Sequence, residues 1–151
     1  MSDYYLVVIP RDPTFLPTPQ LATAAVTALR RLVSGADQIE IHESNHVEYR
    51  DCGQNFESVT CPSCGGDLTD HFADLMDNDF DGHGFALGRA KLPCCGAECA
   101  LNELAFEMPQ GFSRFAVAAR NPRATPGAHA PVPADLAQAL GGSAIVIHRR
   151  V

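Results

Sequence analysis

The 151-residue sequence contains no long hydrophobic run. No stretch approaches the ~18 consecutive apolar residues of a membrane-spanning helix. The N-terminus, MSDYYLVVIPRD, has neither a basic start nor a long apolar stretch followed by small residues, so it does not read as a secretory signal. The sequence therefore predicts a protein without a membrane segment, located in the cytoplasm, where cysteine thiols stay reduced.

Positive charge is also scarce. There are 11 Lys and Arg residues against 18 Asp and Glu, a formal net charge of −7, and Asp51 to Gly88 holds eight acidic residues and no Lys or Arg. Such a surface repels phosphate backbones, which disfavours a nucleic-acid-binding function. Phe112 and Phe115 around Arg114 are accordingly interpreted as core packing, not as a base-stacking surface. The expected partner is another protein.

Motifs of common enzyme classes are absent as well. The sequence has no GxSxG turn, no phosphate-binding P-loop and no dinucleotide fingerprint. The hydrophobic fraction of 46% is ordinary for a globular chain, and a chain of this length buries ~70% of its unfolded surface as one domain. We therefore expect a single domain spanning residues 1–151, without an enzyme activity that the sequence reveals.

The first 50 residues predict a β-α-β unit. Residues 4–9 form an apolar run typical of a buried strand, and Pro10 ends it. Thr18 is a good N-cap for a helix that has Pro19 at its first position and stops before Gly35. Apolar and polar residues then alternate over 39–42 and again over 47–50, with a turn expected at Ser44-Asn45. This pattern predicts a hairpin.

The last 40 residues predict a second such unit. Residues 112–120 are compatible with a helix or a strand, and the turn chemistry of Pro109-Gln110-Gly111 favours a strand. A proline-rich loop, a short helix over 133–140 and a strand over 143–148 follow. Together the two units predict an α+β fold with a ferredoxin-like sheet. Residues 52–108 between them are predicted to be a zinc-ribbon-like insertion.

Five of the six cysteines fall in two short clusters of the proposed insertion, CPSCGG at 61–66 and LPCCGAEC at 92–99. Two thiolates separated by two residues can bind one ion from a tight turn, and a second cluster ~30 residues away can complete four-coordinate zinc. Cys61, Cys64 and Cys95 fit this pattern, since Cys95-Gly96 repeats Cys64-Gly65. The fourth ligand is either Cys94 or Cys99. A redox dithiol is the weaker interpretation of the same spacing.

The stretch LPCCGAECALNELAFEMPQGFSRF resembles a bacterial family of uncharacterised proteins, in which Pro-Cys-Cys-Gly is followed by Leu-Asn-(Asp/Glu)-Leu and Pro-x-Gly-Phe-x-Arg-Phe segments. The similarity extends to Cys61-Pro-Ser-Cys64 and covers about half of the chain. The resemblance implies that Cys94 and Cys95 are the recurring pair, and it implies no activity. The predicted zinc ligands are therefore Cys61, Cys64, Cys94 and Cys95. A site with four thiolates leaves no open position for substrate, which favours a structural ion.

An acidic loop offers an alternative site. Residues 77–82 match the first half of a calcium loop, but Gly88 stands where a bidentate Glu belongs. The loop is therefore expected to be a solvated turn after a helix over residues 70–76. A metal-dependent enzyme or ligand-binding domain that uses Asp79, Asp81 and His83 is the alternative function. His71 or His83 could also replace one cysteine, which would weaken the case for an inert ion.

Overall fold

The structure, a computed structural model, describes residues 2–151. Within these residues, eight strands and three α-helices follow one another: β1 Tyr4–Pro10, α1 Pro19–Leu32, β2 Gln38–Arg50, β3 Val59–Thr60, α2 Phe72–Asp79, β4 Ala90–Lys91, β5 Glu98–Cys99, β6 Ala105–Phe106, β7 Gly111–Arg120, α3 Ala134–Ala139 and β8 Ala144–Arg150. None of these helices combines the length and the apolar character that crossing a bilayer requires.

The four long strands form one sheet in the order β2-β7-β1-β8. Every neighbouring pair is antiparallel, and at the centre Val8 lies opposite both Val117 and Val146. The remaining strands form two small ladders, β3 with β6 and β4 with β5. The fold is thus mixed α+β with an antiparallel sheet and few helices, as the α+β prediction stated. The strand predicted over 112–120 is confirmed as β7.

One face of the sheet is covered by α1 and α3. Helix α1 begins where the sequence predicts, because the Thr18 hydroxyl accepts a hydrogen bond of 3.2 Å from the backbone N–H of Leu21. Its buried residues, Ala25, Ala28 and Leu29, pack with sheet residues such as Leu6 in the largest hydrophobic cluster.

The hairpin predicted around Ser44-Asn45 is wrong. Strand β2 continues through this point, and both of its halves pair with β7. The register shifts between the pairs Glu43–Phe115 and Glu48–Ser113. These pairs are five positions apart along β2 but only two positions apart along β7, so three extra residues of β2 form a bulge. The Arg114 guanidinium donates to the Ser44 carbonyl at 2.9 Å and holds the bulge against β7.

The opposite face of the sheet is partly covered by residues 51–110, the segment between β2 and β7. Cys52 from this segment packs with the sheet residues Ile9, Ala116 and Ile147 in a small cluster. A separate and larger cluster joins the short elements of the segment to Phe112 of β7. We call it the second core. Its buried residues are Val59, Cys61, Leu68, Phe72, Leu92, Cys99, Leu101, Leu104 and Phe112.

Helix α2 lies later in the chain than the sequence predicts. A 3₁₀ turn occupies Thr69–His71, and the α-helix runs from Phe72 to Asp79 instead of ending at Met76. Phe72 of this helix is buried in the second core, and Leu75 and Met76 pack against it. The added turn ends where the Asp79 carboxylate accepts hydrogen bonds from backbone N–H groups of the following loop.

Candidate metal centre

Two tight turns carry the cysteines, and they have the same backbone hydrogen bonds. In the first cysteine turn, residues 61–66, the N–H of Cys61 donates to the carbonyl of Gly66, and the N–H of Gly65 donates to the carbonyl of Cys61, both at 2.9 Å. In the second cysteine turn, residues 92–97, Leu92 bonds to Ala97 and Gly96 to Leu92 in the same way, also at 2.9 Å. Both turns therefore adopt one geometry.

A glycine with positive φ makes this geometry accessible in each turn. Gly65 has φ of 73° and Gly96 has φ of 76°, a region that residues with a Cβ seldom adopt. The strand residues flanking the turns also correspond, since Thr60 pairs with Asp67 and Lys91 pairs with Glu98. Residues 60–68 and 91–99 are thus two copies of one hairpin, offset by 31 positions (61 to 92).

The cysteines occupy different positions in the two copies. Leu92 stands where the first copy has Cys61, and Cys95 corresponds to Cys64. Cys94 corresponds to Ser63, so the second turn presents two adjacent thiols where the first presents two that are three positions apart. Adjacent residues can face one ion only where the chain turns, and the turn at 93–95 supplies that condition.

The two turns bring four sulfur atoms together. The Sγ atoms of Cys61, Cys64, Cys94 and Cys95 all lie within 4.8 Å of one another. Cys61 and Cys95 are 3.8 Å apart, and Cys94 and Cys95 are 3.9 Å apart. Four sulfurs placed about 2.3 Å from a central ion in a tetrahedron are separated by about 3.8 Å. None of the four forms a disulfide. The four cysteines could therefore hold a metal ion.

Backbone N–H groups point at the sulfurs of the first turn. The N–H groups of Ser63 and Cys64 lie 3.3 and 3.4 Å from the Cys61 Sγ, and the N–H of Gly66 lies 3.3 Å from the Cys64 Sγ. The Cys64 N–H is the main reason why the pKa of Cys61 falls to about 6. A thiolate at Cys61 is thus stabilised by the fold itself.

The two thiols of the second turn, Cys94 and Cys95, have raised pKa values and ionise less easily beside it. Partial desolvation, followed by hydrogen bonds with Cys64 and Cys61, raises the pKa of Cys94 to about 12. Four negative sulfurs at these distances repel one another strongly unless a cation lies among them. A divalent cation would therefore stabilise the cluster, whereas mutual repulsion would destabilise it if all four thiols were ionised without a cation.

Cys99 lies outside this group. In the repeat it corresponds to Leu68, and like Leu68 it points into the second core. Its Sγ donates to the carbonyl of Ala100 at 3.2 Å, and burial raises the pKa of its thiol. A buried thiol that is hydrogen-bonded to the backbone acts as a small hydrophobic residue. Cys52, which no motif explains, is also buried and packs under the sheet.

The acidic residues of the alternative site have other partners. Asp79 accepts hydrogen bonds from the N–H groups of Leu87 at 2.8 Å and Gly88 at 2.9 Å, so its carboxylate closes a loop. Asp81 accepts from the N–H groups of His83 and Gly84, both at 2.9 Å. These bonds hold the pKa of Asp81 below its usual value. Both carboxylates thus have a structural role.

The side chains proposed for a second metal do not converge. The His83 ring stacks on the His46 ring, with centroids 5.3 Å apart, and does not meet Asp79 and Asp81 as a third ligand. Within residues 2–151, the cysteine group is the only set of three or more His, Cys, Asp or Glu side chains whose ligand atoms come together. Neither the calcium loop nor the Asp79, Asp81 and His83 site is formed, and no histidine joins the cysteines.

Comparison of the chain with protein-family models, with curated proteins and with solved structures finds no match in any of the three. The resemblance carried by the Pro-Cys-Cys-Gly segment is therefore not extended to a family assignment. The four converging cysteines are the feature of this chain that points to a function.

Proposed function

We propose that this chain is a small zinc protein in which one Zn²⁺, bound by Cys61, Cys64, Cys94 and Cys95, clamps two hairpins together. In this proposal the ion has a structural role, and the protein is a non-enzymatic module that binds another protein. The observation that carries the proposal is the convergence of four Sγ atoms, from two turns 31 residues apart, at spacings that fit a tetrahedral ion.

The ligand set supports zinc. Soft thiolate ligands in tetrahedral geometry select zinc or iron, whereas calcium and magnesium require oxygen ligands. The N–H groups directed at Cys61 and Cys64 offset part of the negative charge that four thiolates bring to one ion. We propose zinc because closed four-cysteine sites are typical of structural zinc, and metal analysis of the purified protein distinguishes zinc from iron directly.

A structural role follows from saturation of the ion. Four thiolates fill a tetrahedral coordination shell and reduce the Lewis acidity on which hydrolytic zinc enzymes depend. The ladders that support the two hairpins are short, since β3, β4, β5 and β6 have two residues each. Strands of this length contribute few hydrogen bonds, so a crosslink between them adds much of their stability.

We further propose that the four long strands with α1 and α3 form a ferredoxin-like sheet, into which residues 52–108 are inserted as a zinc-ribbon-like unit. Counted along the chain, the long strands lie in the order 2-3-1-4, all antiparallel, and helices connect the first to the second and the third to the fourth. This connectivity supports a split β-α-β arrangement. The insertion then lies on the sheet face that has no helices.

We propose that this module binds another protein in the cytoplasm. The acidic stretch from Asp51 to Gly88 remains unfavourable for nucleic acid. A rigid insertion fixed by a metal presents its surface in one conformation, which lowers the entropic cost of binding a partner. In this proposal the only ligand cluster that converges within residues 2–151 is used entirely by the ion, and no catalytic group is needed.

Metal stoichiometry of two single-cysteine variants tests the ligand set. Cys94→Ser is expected to lower bound zinc from one to well below one equivalent per chain, because it removes one thiolate of four. Cys99→Ser is the matched control, since Cys99 lies in the second core and outside the sulfur cluster. It is expected to keep one equivalent while losing about 1–3 kcal/mol of stability through a buried hydroxyl.

The readout is zinc per chain by inductively coupled plasma mass spectrometry after exhaustive dialysis. Loss of zinc in Cys99→Ser with retention in Cys94→Ser would reverse the assignment of the fourth ligand. Iron in place of zinc in the unmodified protein would keep the site and change the metal. Absence of any metal from protein purified without chelator would contradict the proposal.

A further inference from the structure

A cleft of ≈ 310 Å³ opens between α2 and the β4–β5 hairpin. Its inner wall is part of the second core, because Leu92, Leu101 and Leu104 line it and are almost fully buried. Leu75 of α2 forms the facing wall. This volume is at the lower end of ligand-binding cavities, which suits one aliphatic side chain better than a whole cofactor. We call it the α2–β4 cleft.

The rim of the α2–β4 cleft holds the positive charge of this part of the protein. Arg89 and Lys91 both line the cleft, and they are the only Lys or Arg residues between Asp51 and Gln110. Arg89 is held in place by Glu103 at 3.0 Å and by the carbonyl of Glu98 at 2.7 Å. Lys91 is exposed and forms no ion pair with any residue that the structure describes.

A strand edge runs along the same cleft. Strand β4 pairs with β5 on one side only, and both of its residues, Ala90 and Lys91, are exposed. The N–H of Leu92 donates to Ala97 on the β5 side. Because backbone groups alternate in direction along an antiparallel strand, the N–H and carbonyl of Lys91 point away from β5. An extended chain can add to such an edge as a further strand.

From these three features we propose that the α2–β4 cleft binds an extended segment of a partner protein. The segment adds a strand to the outer edge of β4, inserts an aliphatic side chain between Leu75 and Leu92, and places an acidic side chain opposite Lys91. The inference rests on the proposed protein-binding function and names the surface and the partner chemistry. Charge complementarity selects the acidic residue, because Lys91 forms no ion pair with any described residue and lies in a segment with a large excess of acidic residues.

Selection from a random twelve-residue peptide display library, against the zinc-loaded full chain, tests this inference. We expect enriched peptides to share an aliphatic residue with Asp or Glu within two positions of it. A synthetic peptide of the enriched sequence should lose most of its affinity when the aliphatic residue becomes serine. Hydrogen exchange supplies a backbone readout, since the outward N–H of Lys91 should exchange about tenfold more slowly with peptide bound, as expected for a new strand hydrogen bond.

Charge variants locate the site. Lys91→Glu should weaken peptide binding about tenfold, because a surface attraction is replaced by a repulsion. Lys91→Ser should weaken it about threefold without placing a second carboxylate opposite Glu98. Arg30→Glu, the same charge change on the exposed side of α1, is the control and should leave affinity within about twofold.

Zinc content measured on the same samples separates the two proposals. Failure to enrich any peptide on folded, zinc-loaded protein would overturn the α2–β4 site and leave the metal centre standing. Enriched peptides that are insensitive to Lys91→Glu would also overturn it, while supporting protein binding at another surface. Enrichment of basic peptides would contradict the assigned partner chemistry.

Discussion

Removal of the metal is expected to unfold the segment between Cys52 and Met108 before the sheet unfolds. Metal-free protein, prepared with a chelator at pH 7, should be at least ~4 kcal/mol less stable than zinc-loaded protein, since a site saturated a thousandfold above its dissociation constant contributes that much. For a chain of this size the melting temperature should fall by ~10 °C or more. The physical reason is that the proposed ion would crosslink two cysteine turns that lie 31 residues apart in the chain.

Hydrogen exchange locates the change. The N–H groups of Cys61 and Leu92, which close the two turns, should lose protection when the metal is removed. Central residues of β1, such as Leu6 and Val8, should keep theirs, because they belong to the helix-covered core. Adding zinc back should restore both protection and melting temperature. A Cys61→Ser variant is the control, because it should start unstable and respond to neither chelator nor zinc.

Truncation of Phe112 is expected to cause the next largest loss. Phe112 lies on β7 with 1% of its surface exposed, and its ring is 5.3 Å from the rings of both Tyr49 and Phe85. It therefore joins the sheet to the second core. Phe112→Ala should cost ~3–5 kcal/mol, as for other large-to-small changes in a core, which corresponds to a fall of ~6–20 °C in melting temperature.

Phe80→Ala is the matched control for this change. Phe80 also contacts Phe85, at 5.2 Å, but 47% of its surface is exposed. Its truncation should cost less than ~1 kcal/mol. Zinc stoichiometry should stay at one in both variants, since neither phenylalanine is one of the four proposed ligands. Equal losses of stability in the two variants would show that Phe112 does not connect the sheet and the second core.

The outer elements were predictable because local chemistry determines them. Thr18 and Pro19 mark the start of α1. The largely apolar runs at 4–9 and 143–148 are typical of buried strands, and both are strands in the structure. For residues 112–120 propensity and turn chemistry disagreed, and the strand formed because β1 and β2 pair with it on both sides. Tertiary pairing thus overrides the helix preference of its alanines.

The bulge in β2 could not be predicted locally. Ser44-Asn45 has the composition of a tight turn, and a bulge uses the same residue types. The pairing of the residues after 46 distinguishes the two: a turn forms if they pair with the residues before 43, and a bulge forms if they pair with another strand. That other strand is β7, which is more than 60 residues away in sequence, and Arg114 of β7 fixes the bulge through the Ser44 carbonyl.

The convergence of the cysteines was predictable in outline, and the choice of Cys94 as fourth member came from the resemblance of its segment to an uncharacterised bacterial family. A signal for Cys94 over Cys99 was nevertheless present in the chain. Aligning TCPSCGGDL with KLPCCGAEC places Cys99 on Leu68, a hydrophobic position, and places Cys94 inside the turn. The repeat is hard to recognise in the sequence because Leu92 stands in the second copy where the first copy has Cys61. The Asp79, Asp81 and His83 alternative failed for a related reason, since hydrogen bonds to loop N–H groups use both carboxylates.

X-ray absorption at the zinc edge of the purified, unmodified protein is the most direct test of this account. The account predicts a single shell of four sulfur atoms at about 2.3 Å from the ion and no lighter neighbour. A spectrum that requires a nitrogen or oxygen ligand at about 2.0–2.1 Å would contradict it, because an ion with a water or histidine ligand is not enclosed by four thiolates and could carry out chemistry.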